Sequence, residues 1–166
     1  MNHKYFMEQA LNEAKYTLDK GLFPVSCVLV YKRKVIATSS LKGVKINSLN
    51  ELHHAEIRAL HRLYKLQDKI NKTKVTLFCT FEPCLMCFST IIIAGINKIV
   101  YAYEDVMGGG TNLDIKHLKH LYQKRKITIV PNILRDKSVE FFKAFFSDPE
   151  EDYLRGTLLA KYTLKQ

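Results

Sequence analysis

Residues 75–95 read VTLFCTFEPCLMCFSTIIIAG. The first six, rich in β-branched and aromatic side chains, read as a strand. From Pro83 the pattern changes. Proline is suited to the first turn of a helix, where its missing N–H costs nothing, apolar residues continue to Ala94, and Gly95 can close the element. The strand-into-helix pattern repeats downstream: a β-rich run at 99–103, a helix over 113–122, a strand at 127–130, then helices near 136–146 and 150–163. Alternation of this kind implies parallel strand pairing through right-handed crossovers.

The preceding half has a different character. Phe6, Ala10, Leu11, Ala14 and Leu18 recur at helical spacing over residues 3–20, with Gly21 as the stop. PVSCVLVY from Pro24, the polar turn Lys32-Arg33-Lys34 and then VIATS read as a hairpin of two strands. Ser48 and Glu51 have the form of a capping box, and Leu52, Ile57, Leu60 and Leu63 continue a helix to about Leu66. The fold class is therefore α/β, a central mixed sheet of about five strands between helices. With no repeat, linker or low-complexity tract, the 166 residues form one domain, 1–166, with 147–166 as a C-terminal helical extension.

Composition narrows the function. Apolar residues at 47% and charged residues at 25% are ordinary for a globular chain. No signal-peptide pattern opens the sequence, and no apolar stretch approaches the roughly 18–20 residues needed to span a bilayer, so a cytoplasmic protein with no membrane partner is expected. In that compartment four cysteines are thiols or metal ligands and not a disulfide framework. The net charge of +10 permits a polyanionic partner, but the basic residues are scattered and fit solvated turns and helix ends equally well.

Cys84 and Cys87 lie three apart at the start of the helix predicted after Pro83. There the positive end of the macrodipole favours thiolates, a setting suited to zinc. Zinc needs a third protein ligand, and a catalytic site keeps a fourth position open. The candidate region is HHAEIRAL, residues 53–60, in which His54 stands two before Glu56 near a predicted helix start. Residues two apart on a helix share a target only near its end. Cys27 and Cys79, within apolar strand runs, read as small core residues, as do Met86 and Phe88; His53 has the wrong offset to Glu56 and reads as a packing or surface histidine. Cys84 and Cys87 could instead serve a purely structural zinc site, but no fourth Cys or His stands at partner spacing.

His54-Ala55-Glu56 followed by Pro83-Cys84-Leu85-Met86-Cys87 has the form H-x-E…P-C-x-x-C, the signature of zinc-dependent nucleobase deaminases. With FPVSCVLV, HAEIRAL and TLFCTFEPCLMC, the chain resembles the cytidine deaminase superfamily and, within it, the bacterial tRNA adenosine deaminases, from the first helix to about Phe146. The resemblance implies a three-layer α/β/α sandwich, often a homodimer, and one zinc ion held by His54, Cys84 and Cys87. Glu56 would shuttle the proton, and Val25, Leu41, Ala55 and Pro83 would contact a nucleobase-containing substrate. It points first to adenosine-to-inosine conversion at the tRNA wobble position. Two departures favour a free base, nucleoside or nucleotide such as guanine or cytosine: Leu41 stands where a purine-contacting asparagine is usual, and residues 148–152 are acidic where the family is basic. Such an enzyme would bury its ligand in a closed pocket capped by 153–162. The rival of another class is a non-catalytic, zinc-containing RNA-binding domain. The DVMGGG run at 105–110 departs from the family's usual sequence, and its glycines would let backbone approach a ligand.

Overall fold

The computed structural model describes residues 1–40, 52–66 and 70–166. Its sheet has five strands in the order β2-β1-β3-β4-β5. These are β1 (Ser26–Tyr31), β2 (Lys34–Ser40), β3 (Thr76–Phe81), β4 (Lys98–Tyr103) and β5 (Thr128–Val130). The first two form the expected antiparallel hairpin, and β1 also pairs antiparallel with β3. From β3 onward the pairing is parallel, as the alternating pattern implies. The hairpin turn is tight enough to hold Lys32 and Arg33 at positive φ, 48° and 63°, a conformation that suits the twist of two adjoining antiparallel strands.

Helices cover both faces. On one, α1 (His3–Leu18) buries Phe6, Met7, Ala10 and Leu11 against Val28, Val30, Phe78, Val100 and Ala102, the side chains of one strand parity. The opposite parity, including Cys27, Leu29, Leu77, Cys79 and Ile99, packs under α2 (Ala55–Lys65) and α3 (Leu85–Ile93). Cys27 and Cys79 face each other across the β1–β3 pair, fully buried, as core residues. Two arginines tie α2 to the sheet edge: Arg58 Nη1 donates to the Ser40 carbonyl at 2.9 Å and Arg62 Nη1 to that of Thr38.

Beyond β4 the chain forms the short α4 (His120–Gln123), then α5 (Arg135–Ser147) and α6 (Leu158–Thr163). Helix α5 lies beside α1 and reaches the ends of β3 and β4, where the Phe142 ring meets Phe81 at 4.7 Å and Tyr103 at 5.3 Å.

Several element boundaries differ from the sequence expectation. The Ser48–Glu51 box lies outside the described residues; Leu52 is in a turn, and α2 begins only at Ala55. Pro83 precedes the N-cap of α3 instead of occupying its first turn. The helix expected over 113–122 is a single 3-10 turn, Ile115–His117, followed by α4. Asp114 caps that turn through Lys116 N, and Lys116 and Lys119 stand three apart, where like charges oppose a longer helix. In the C-terminal segment only 158–163 is helical, because Leu154 and Gly156 take left-handed φ values of 58° and 74° ahead of the Thr157 cap.

Candidate active site

Two helix N-termini converge at the end of the sheet where β3 finishes. His54 is the N-cap of α2 and Cys84 the N-cap of α3, both with extended backbone, and neither side chain is used in a cap hydrogen bond. Their side chains are therefore not turned back onto the first-turn N–H groups of their helices. His54 Nδ1 lies 3.5 Å from Cys84 Sγ and 3.4 Å from Cys87 Sγ, and the three donor atoms all fall within 4.8 Å of one another. Both macrodipoles place their positive ends here.

Electrostatics suit a cation. The Cys84 thiol is drawn down to about 4 by the hydrogen bond from Cys87 and, after burial opposes it, by His54; Cys87, donor in that pair, is pushed up. The first proton thus leaves readily, and the second is held by the hydrogen bond to Cys84 and by burial. Two soft sulfurs and an imidazole nitrogen, close enough to share one ion, are a donor set that fits zinc and leaves a tetrahedral position over.

Glu56, in the first turn of α2, is buried, and among the described residues its Oε2 has no hydrogen-bond partner. Burial pushes its carboxyl up, against a bond from its own backbone N–H and the attraction of His54. An orphaned carboxylate oxygen is costly inside a protein, so its presence beside the sulfur–imidazole group points to a partner that arrives with the ligand.

His54, Glu56 and Cys84 open into a cavity of about 620 Å³, lined among others by Phe23, Val25, Ala55, Glu82, Asp105 and Tyr153. Of the substrate contacts expected from the sequence, Val25 and Ala55 line it. Pro83 does not: it is buried, and its carbonyl accepts the Gly110 N–H at 2.9 Å. Leu41 lies outside the described residues. His53 is at the exposed rim and outside the sulfur–imidazole group, whereas Met86, expected in the core, is half-buried in the wall because the first turn of α3 turns it toward the opening.

The sequence reading missed Phe23, Phe81, Glu82, Asp105 and Met107 as lining residues, although Glu82 stands directly before Pro83-Cys84. Tyr153, Leu154 and Leu159, from the segment expected to cap the pocket of a free-base enzyme, line one side, with the Tyr153 ring edge-on to Phe23 at 5.2 Å. The glycines of 105–110 do not approach the cavity as expected. A Cβ on Gly110 would lie 2.6 Å from Leu85 Cα, so the close approach is to the start of α3.

The mixed sheet and the group at the end of its central strand define the class, a hydrolytic deaminase with the cytidine deaminase-like fold. The chain belongs to the MafB19-like deaminase family, whose model matches residues 1–144. It is 31% identical over 142 residues to a tRNA-specific adenosine deaminase of Rickettsia typhi, spanning 84% of this chain and 95% of that protein. A solved structure from work on A-to-I editing by tRNA:A34 deaminases at the wobble position superposes with a TM-score of 0.68 at 27% identity, over 82% of this chain and 98% of the other. A guanine deaminase from Nitrosomonas europaea shares the fold, with a TM-score of 0.62 at 19% identity over 84% of this chain and 81% of that one.

Proposed function

We propose that this protein is a zinc-dependent hydrolase that deaminates adenosine to inosine at the tRNA wobble position. The observation that carries the proposal is the meeting of His54, Cys84 and Cys87 beside the buried, unpartnered Glu56 Oε2, at the foot of a cavity of nucleotide dimensions. The relatives named for tRNA adenosine deamination support the choice of substrate.

In this reading His54, Cys84 and Cys87 hold one zinc ion, which when bound lowers the pKa of water to about 7. Glu56 Oε2 accepts the first water proton and delivers it to adenine N1 as the C6 carbon is attacked; it then takes the proton of the hydroxyl added at C6 and passes it to the amino group as the C6–N bond breaks, so that adenosine and water give inosine and ammonia. One carboxylate can do both because it is buried within reach of the reacting atoms. Phe23, Phe81 and Tyr153 supply apolar faces for the purine and keep bulk water out. A wobble base suits such a site because it is already unpaired, which reduces the cost of drawing it from the stack. The chain acts as one deaminase domain, with 147–166 as an appendage of turns and one short helix. It works in the cytoplasm as a homodimer, for which the exposed Leu85 and Ile93 of α3 offer apolar surface.

A second reading, deamination of a free base such as guanine, is favoured by the wall formed by Tyr153, Leu154 and Leu159, which narrows the cavity on the side of the C-terminal segment. An ammonia-release screen over free bases, nucleosides, nucleotides and an anticodon stem-loop with adenosine at the wobble position decides between them. Turnover of the stem-loop is expected; rapid turnover of a free base with none of the stem-loop would establish the second reading.

A further inference from the structure

Glu82, between β3 and Pro83-Cys84, is buried on the edge of the cavity. A carboxylate in such a position needs compensation, and its compensation comes from one loop. Oε2 accepts the Asp105 N–H at 3.1 Å, while Oε1 accepts the Thr111 N–H at 3.3 Å and the Thr111 hydroxyl. The two oxygens therefore hold the two ends of residues 105–111. Between those ends Asp105 folds the loop on itself: its Oδ1 accepts the N–H groups of Met107 and Gly108, each at 2.9 Å, and its carbonyl accepts that of Gly109 at 3.1 Å.

The folded loop lies on the backbone of Cys84. Gly109 forms a β-bridge with Cys84, and Gly110 N–H donates to the Pro83 carbonyl. Contact is close enough to need bare glycine: a Cβ on Gly109 would be 2.6 Å from Glu82 Cδ, and one on Gly110 would be 2.8 Å from the Cys84 carbonyl carbon. Cys84 needs such support. Its side chain makes no cap hydrogen bond, and within its own helix its sulfur is held by Cys87, which the loop supplements by holding the Cys84 backbone from the other side.

We infer that Glu82 is a positioning residue: its carboxylate clamps both ends of the 105–111 loop, and the loop in turn holds Cys84 with its sulfur toward His54. This rests on the reading of His54, Cys84 and Cys87 as metal ligands. The clamp requires a carboxylate, since glutamine offers one acceptor oxygen where glutamate offers two, and aspartate is a methylene short.

The test compares the wild-type chain with Glu82→Gln and with Thr111→Val, which removes a single hydroxyl donor. Three quantities are read: amide hydrogen exchange across 105–111, the rate of zinc transfer to a chromogenic chelator, and the thiolate-to-cobalt charge-transfer band of the cobalt-substituted protein. In Glu82→Gln, exchange at Asp105 and Thr111 is expected to rise by about tenfold or more. Zinc should leave roughly 10–100-fold faster, the range for loss of an outer partner of a metal ligand, and the cobalt band should shift. Thr111→Val should move all three in the same direction by less, and it decides the matter if Glu82→Gln does not fold. A wild-type exchange pattern in the variants would overturn the clamp. Faster exchange with unchanged zinc release and an unchanged cobalt band would overturn the positioning role. A wild-type chain that binds neither metal would overturn that role together with the metal reading, while the exchange comparison would still decide the clamp.

Discussion

His54 and Cys84 hold equivalent places on their helices, each an N-cap with extended backbone and a side chain left out of the capping pattern. This geometry explains how residues 30 apart in sequence come to lie 3.5 Å from each other. Replacing Cys84 by Ser, or His54 by Ala, should lower zinc affinity by more than about 100-fold, beyond the 10–100-fold typical of losing an outer partner, as read by chelator competition. The residues themselves were legible because zinc chemistry admits few ligand types, and H-x-E with P-C-x-x-C is a rare conjunction. Their role as caps was not: Ser48 and Glu51 carry a stronger local signal for a helix start than His54 does. Nor was Glu82, whose partners lie 23 and 29 residues further on and follow only from the pairing of β3 with β4.

Strands and long helices were readable because their periodicity is dictated by burial, as in β3, where every residue is buried, and α1, whose apolar stripe faces the sheet. The segments 113–122 and 150–163 were misread as continuous helices. Their apolar residues suggest helical spacing, but local charge repulsion and left-handed residues decide the backbone. The loop–helix junction gives a direct prediction: Gly110→Ala forces a Cβ against Leu85 Cα and should cost about 1–3 kcal/mol, measured by denaturant titration. A second concerns α6. Glu104 accepts from Arg135 Nε at 2.8 Å and from the Tyr162 hydroxyl at 2.7 Å, joining β4, α5 and α6. Burial would push its carboxyl up, but these bonds outweigh burial and hold it below the ordinary value of 4.5. A depressed carboxylate contributes its stability fully above that value and loses it as pH falls through the lower, folded one. Docking of α6 should therefore weaken on acidification below pH 4.5, and Glu104→Gln should remove that part of the dependence, as followed by thermal midpoint against pH.

Across the whole molecule the +10 charge, the acidic 148–152 segment and the apolar cavity bear on the substrate together. Arg155 gathers the carbonyls of Asp148, Pro149 and Glu151 and pairs with Asp152, so part of the acidic segment is compensated internally and the basic excess prevails elsewhere. For a tRNA substrate, affinity should fall linearly on a log–log plot as salt rises, by roughly 0.7–0.9 per phosphate neutralised; binding that is flat with salt would favour a free base. On the proposed function, Glu56 moves the proton at a zinc centre built by His54, Cys84 and Cys87. The most direct measurement is zinc content and inosine formation determined in parallel on the wild-type chain and Glu56→Ala, with the wobble-adenosine stem-loop as substrate. One zinc per chain is expected in both, with turnover lowered by about 10²–10⁴-fold or more in the variant. A zinc-free wild-type preparation that forms inosine, or a Glu56→Ala chain that turns over at the wild-type rate, would contradict it.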